Sequence, residues 1–185
     1  MWALSTSGGK AAYHHGDLRR GLLTAARALL HQGGPDAVTL REAARAAGVS
    51  HNAPYRHFPS RDALLAAVAT DGFLALRARL DAARSAAAPA DRLVAIGRAY
   101  LGFAAQERAA FRLMFGSALD RAAHADLREA AEAAFAVLRD TVAERGGDAA
   151  SIARETVRAW GLVHGLATLV ADGQITPEAA ETGLA

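Results

Sequence analysis

Apolar side chains recur at three- and four-residue intervals along most of this chain, and nowhere alternate with polar ones for long. That period predicts helices rather than strands. Leu18, Leu22, Ala25, Ala26, Leu29 and Leu30 trace one face of a helix beginning near Asp17, and Gly33-Gly34-Pro35 stops it. Thr39-Leu40-Arg41-Glu42 has the form of a capping box, with the Thr39 hydroxyl taking an orphan N–H and Glu42 reaching back. The short helix it opens runs to about Ala47, where Gly48 supplies a tight turn. Ser50 is the next candidate cap, predicting about two helical turns to His57 before Phe58-Pro59. Ser60 caps a longer helix, with Leu64, Leu65, Val68, Leu76 and Leu80 on its apolar face, ending near Arg84. After a small-residue break at Ser85 to Pro89, helices are expected over about 90–105, 108–116, 122–145 and 148–172. A last short one starts at Thr176-Pro177-Glu178, with proline in its favoured first position. The predicted fold is all-α.

Composition narrows the function classes. The 185 residues, 52% of them hydrophobic, suffice for a sizeable core in one or two small domains. There is no cysteine, which rules out a disulfide framework and thiolate metal sites. Met1 to Gly9 lacks the apolar run of a secretory leader. The longest apolar stretch, Ala159 to Ala171, is broken by His164 and falls short of the ~20 residues a membrane span needs. A cytoplasmic protein with no membrane partner is expected.

The net charge of +2 is unevenly distributed. Residues 1–61 carry eight basic side chains (Lys10, Arg19, Arg20, Arg27, Arg41, Arg45, Arg56, Arg61) against Asp17, Asp36 and Glu42, a balance of +5, and residues 62–185 carry −3. A basic head on a mildly acidic body is the electrostatic footprint of a nucleic-acid-binding module joined to something else. Within that head, residues 39–57 read helix, turn, helix. A recognition helix enters the major groove by its first turn, here Ser50, His51, Asn52 and Ala53. Asparagine can pair bidentately with adenine, and Arg56, one turn on, can reach guanine. Tyr55, His57 and Arg61 are placed for phosphate contacts, helped by the helix N-termini at Thr39 and Ser60. On geometry alone, an ordinary helical corner with no DNA partner stays open.

The stretch from Val38 to Leu65 resembles the DNA-binding domain of the TetR family. It shares Ala47-Gly48-Val49-Ser50 closing the turn, then Tyr55, His57 and Phe58, then Ser60 and a leucine-rich helix through Leu64. With the preceding helix, the resemblance covers residues 17–75. It implies an N-terminal three-helix helix-turn-helix domain followed by a C-terminal helical ligand-binding and dimerisation domain. It implies base contacts from Arg41, His51, Asn52 and Arg56, and backbone contacts from Thr39, Ser50, Tyr55, His57 and Arg61, with Phe58 in the core. Pro54 departs from the pattern, standing where a larger apolar residue is usual. The domain reading is an arm over 1–15, the DNA-binding domain over 16–61 and the effector and dimerisation domain over 62–185. His14-His15 and Lys10 on the arm fit phosphate contact better than metal binding.

In the second half, Trp160-Gly161-Leu162-Val163-His164-Gly165 resembles the Trp-x-x-x-His-Gly element of one TetR subgroup, and Phe111-Arg112-Leu113-Met114-Phe115 fits the same subgroup. The resemblance implies that Tyr100, Phe103, Phe111, Met114, Phe115, Phe135, Trp160 and His164 lie on helices around an effector cavity, with Tyr100 and His164 as its polar groups. Plain core packing is the alternative for each aromatic. Gly161 and Gly165, four apart, permit close approach of another helix, at a subunit interface or an internal crossing. The family implies dimerisation through about 148–184, and DNA reading asks for it too, because one short recognition helix covers few base pairs. No phosphate loop, nucleophile elbow, metal-ligand helix or cofactor motif is present, so no catalytic residue, metal or cofactor is expected. The expected function is a repressor that binds a palindromic double-stranded operator as a homodimer and is released by a small-molecule effector. The alternative is a helical small-molecule-binding protein or enzyme without DNA binding.

Overall fold

The computed structural model describes residues 15–184. The expectations for the arm and for Lys10 and His14 lie outside the described residues. Among the described residues eight α-helices are formed: α1 His15–Gly33, α2 Leu40–Ala46, α3 Arg61–Ala86, α4 Arg92–Gln106, α5 Arg108–Phe115, α6 Ala125–Ala143, α7 Ala149–Ala171 and α8 Pro177–Thr182. No strand occurs among them. The periodic segments therefore became helices close to their expected limits.

The stop and start signals act as their chemistry dictates. Gly34 ends α1 at φ 71°, donating its N–H to the Leu30 carbonyl at 2.9 Å. Gly33 leaves no room for a side chain, since a Cβ there would lie 2.8 Å from that of Ala37. Thr39 accepts the Glu42 N–H at 3.1 Å and Ser60 accepts that of Ala63 at 3.1 Å, the two expected caps. The second half of the capping box is not made. The Glu42 carboxylate bonds Arg45 Nε at 2.8 Å, because a cation one turn along the helix competes with the reach back to the cap.

α3, at 26 residues, organises the molecule. Its first turns pack with α1, and its body packs on α4, α5 and α6. α7 lies against α4 and α6, and α8 closes over α4 and α7. Leu22, Leu30, Val38, Phe58, Leu64, Leu65, Leu76, Phe103, Leu113 and Leu127 belong to one continuous buried cluster, so head and body share a core. Cross-links at the junction are polar: Arg27 pairs with Asp71 at 2.7 Å and His31 approaches Glu107 at 3.5 Å. At the far end Glu144, after α6, bonds both Arg84 and Arg92, joining α3, α4 and α6. Those two guanidinium groups hold the Glu144 carboxyl below the usual carboxylate range. No described helix is long and apolar enough to cross a membrane.

Candidate functional site

Two places on the fold carry chemistry: the surface after α2 and a cavity among α3, α4, α6 and α7.

After α2 the chain turns at Gly48, φ 68°, with Val49 N–H bonded to the Ala44 carbonyl at 3.0 Å. The segment expected as two α-helical turns is one 3-10 turn, Ala53–Arg56. Pro54 is the cause. In an α-helix capped at Ser50, residue 54 would donate to the Ser50 carbonyl, and proline has no N–H to give. Ala53 takes that carbonyl instead, at 3.0 Å and one residue tighter. The turn closes with His57 and Phe58 N–H groups both on the Pro54 carbonyl at 2.9 Å. Pro54 and Phe58 are buried, and these two anchors face the segment outward.

Its outer surface carries the expected reading residues. Arg41, Ser50, His51, Asn52 and Arg56 are exposed, and Tyr55 is 60% exposed. Arg41 and Arg56 make no ion pair among the described residues, so their charge is directed to solvent. Thr39 and His57 are half-buried. Thr39 already holds the α2 cap. Arg61 is engaged within the chain. Its Nε donates to the Val38 carbonyl at 2.9 Å and one terminal nitrogen donates to the Pro35 carbonyl at 2.6 Å, strapping the α1–α2 loop to the start of α3. A guanidinium so engaged acts first on the geometry of the head. Arg19 was missed by the sequence reading. Its guanidinium lies 5.5 Å over the Phe58 ring, beside the 3-10 turn. The Arg19-Arg20 pair in the basic head was the available signal.

The cavity has a volume of about 560 Å3, within the range of small-molecule sites. Tyr100, Phe115, Phe135 and Trp160 line it as expected. Phe103, Phe111 and Met114 do not. Phe103 is buried with Arg79 5.3 Å over its ring, and Met114 fills the space left by Gly72 of α3, where a Cβ would meet its sulfur at 2.6 Å. Phe111 stands behind the wall, edge-on to Tyr100 at 5.9 Å and tilted against Phe115 at 4.8 Å. His164 also stands behind, with Nδ1 at 2.9 Å from the Tyr100 hydroxyl and its ring stacked on Trp160 at 5.5 Å. Burial pushes the Tyr100 hydroxyl above its ordinary range, against the opposing pull of Trp160 and the Arg121 charge. Burial and then the Arg121 charge lower the His164 pKa, which keeps the ring neutral at pH 7. Phe73, Leu76 and Leu80 bring α3 itself onto the cavity wall. The sequence pattern showed them as apolar positions without distinguishing wall from core. Arg121, also on the wall, gave no signal in the sequence.

On the outer face of α7, Val157 is 62% exposed, with Gly161 and Gly165 following at one-turn intervals, whereas Leu162, 51% exposed, borders the cavity. A Cβ on either glycine would meet nothing within 4 Å, so neither serves a crossing inside the chain.

Comparison with known proteins agrees with this anatomy. Residues 22–68 match the family model for bacterial regulatory proteins of the tetR family, and residues 93–184 match the tetracyclin repressor-like C-terminal domain. A solved structure from Rhodococcus sp. RHA1, described as a protein with unknown function, is 37% identical, covers 93% of this chain and 92% of its own, and superposes with a TM-score of 0.80. Two more distant structures share the fold. The TetR family transcriptional regulator PfmR from Thermus thermophilus is 20% identical, covering 88% of this chain and 94% of its own, with a TM-score of 0.67. The fatty acid degradation regulator FadR from Bacillus halodurans is 14% identical, covering 92% and 94%, with a TM-score of 0.73. No curated protein matches the chain. With both halves matched in order and the helix-turn-helix surface exposed, the chain belongs to the TetR family of bacterial transcriptional regulators, which are DNA-binding proteins and not enzymes.

Proposed function

We propose that this protein is a repressor that binds a near-palindromic operator as a homodimer and leaves it when a small molecule occupies the C-terminal cavity. The observation that carries the reading is the continuity of α3, which begins at the reading head with Arg61 and lines the cavity with Phe73, Leu76 and Leu80. A ligand that shifts the α3 part of the wall shifts the helix that carries the head.

In this reading His51, Asn52, Arg56 and Arg41 contact base edges, Asn52 by pairing with adenine and the arginines with guanine. Ser50, Tyr55 and His57 contact phosphates, while Thr39 and Arg61 hold the loop and helix starts in register. Two copies associate through the outer face of α7, where Gly161 and Gly165 allow close approach and Val157 supplies apolar area. The pair then presents its heads ~34 Å apart, one turn of duplex. In this reading Trp160, His164 and Gly165 form the Trp-x-x-x-His-Gly element of one TetR subgroup, and the Trp160–His164 stack supports it. Release requires only that the ligand bind the DNA-incompetent arrangement more tightly than the competent one.

The test is selection of bound duplexes from a random library by the purified full chain at low salt, followed by a screen for compounds that release the selected duplex. Enrichment of an inverted repeat supports the reading. Recovery of no preferred sequence rejects it.

A further inference from the structure

Among the described residues, Arg121 on the cavity wall makes no ion pair. Arg121 stands in the short turn Arg121–Ala123 between α5 and α6. Its guanidinium lies 5.6 Å from the centre of the Phe73 ring and 5.5 Å from that of Phe115, and donates to the Met114 carbonyl at 2.6 Å. Among the described residues no carboxylate pairs with it. A guanidinium has five N–H donors, and the Met114 carbonyl occupies one. The guanidinium is half-buried against two rings, with no carboxylate partner among the described residues, so its remaining donors are available to an anion in the cavity.

Three other charged groups, Glu132, Glu155 and Arg158, also line the cavity. Glu132 is largely exposed and approaches Arg128 at 4.0 Å, and Glu155 and Arg158 are exposed on α7. The inner polar groups add no negative charge, since Tyr100 keeps its proton and His164 is neutral. Near Arg121 the wall does not favour a lipophilic cation. Phe73 and Phe115, whose faces would attract one, already carry the protein's own guanidinium.

We propose that the cavity takes a hydrophobic monocarboxylate, its carboxylate on Arg121 and its apolar body along Leu76, Leu80, Ile96 and Leu138. This rests on the effector reading above and gives it a ligand class. A charge-assisted pair with the fixed fork of Arg121 supplies orientation, and burial of the apolar body supplies most of the affinity.

Trp160 lines the cavity and is one of two tryptophans, so its fluorescence in a Trp2→Phe background reports occupancy. The titrants are octanoate, decanoate and dodecanoate, each beside the alcohol and the primary amine of the same length. The wild-type cavity is expected to prefer a carboxylate over its alcohol by on the order of tenfold or more. Arg121→Gln is expected to abolish that preference and leave alcohol binding in place, which also shows that the cavity is intact. Equal binding of acid and alcohol, tighter binding of the amine, or no binding of any acid overturns the ligand class, and the wild-type comparison decides this even where the variant does not fold. The same compounds are then added to the protein on its selected duplex. Acid binding without DNA release keeps the ligand class and rejects release. Release by a neutral or cationic compound, without acid binding, does the reverse.

Discussion

Arg61 separates two roles that the sequence alone merges. As a phosphate contact, its loss would weaken every DNA alike and leave the free protein untouched. As the strap seen here, its loss would cost folding free energy first. Two bonds from a guanidinium to the carbonyls of Pro35 and Val38 are at stake, at 2.6 and 2.9 Å. Hydrogen bonds to charged groups are worth about 1.5–3 kcal/mol each when protected from water. The Arg61 side chain is 40% exposed, so solvent recovers much of that. Its third contact, 3.4 Å to a fully exposed Asp36 carboxylate, adds nothing measurable. The expected loss for Arg61→Ala is about 1–2 kcal/mol in total, a fall in Tm of about 2–8 °C for a chain of this size. Arg61→Lys, which loses the fork and keeps the charge, recovers a part of it. Thermal unfolding by circular dichroism reads the stability. The salt dependence of DNA binding reads the phosphate count, each contact contributing about −0.9 to the slope. The strap predicts a lowered Tm and an unchanged slope. An unchanged Tm with a slope reduced by about one contact refutes it.

Three further outcomes follow from the same geometry. Asn52→Ala and Arg56→Ala each relax base preference at one position per half-site, by about 1–3 kcal/mol in competition between operator variants, without unfolding the head. Gly161→Leu leaves the monomer fold intact, because open space surrounds that position, and shifts the dimer toward monomer in sedimentation velocity; an unshifted dimer would place the interface elsewhere. For Glu144, the pKa is lower in the folded chain than in the unfolded one, so its contribution is fully present above the ordinary carboxylate range and fades as pH falls through the folded value. Glu144→Gln therefore lowers Tm at neutral pH, and the gap to wild type closes in acid, where the protonated carboxyl resembles the amide. A gap that persists into strong acid would contradict the clamp.

Much of this anatomy is legible in the sequence, for definite reasons. Helical periodicity and the hydroxyls of Thr39 and Ser60 fix helices and their starts locally, and the structure places them accordingly. The exposed face of this turn was legible because Ser50, His51, Asn52 and Arg56 are polar while Pro54 and Phe58 are apolar and buried. Its 3-10 geometry follows from one missing N–H, whose effect depends on which neighbour takes the freed carbonyl. The cavity was half legible. Tyr100, Phe115, Phe135 and Trp160 share the period of Phe103, Phe111 and Met114, and nothing in that period says which side of the apolar stripe faces empty space. Where Gly72 removes a side chain, Met114 fills the gap and leaves the wall. The Tyr100–His164 bond joins residues 64 apart, and Arg121 reaches the cavity from a turn between helices. Both depend on tertiary placement that local pattern does not encode.

The central claim is that an exposed polar turn, presented twice by a symmetric pair, reads duplex DNA. Its most direct measurement is the footprint of the purified protein on its selected duplex. Two protected half-sites in inverted orientation are expected, centred one helical turn or a whole multiple apart, with protection weakened in Arg56→Ala. A single protected half-site, or protection of any sequence equally, would contradict the claim.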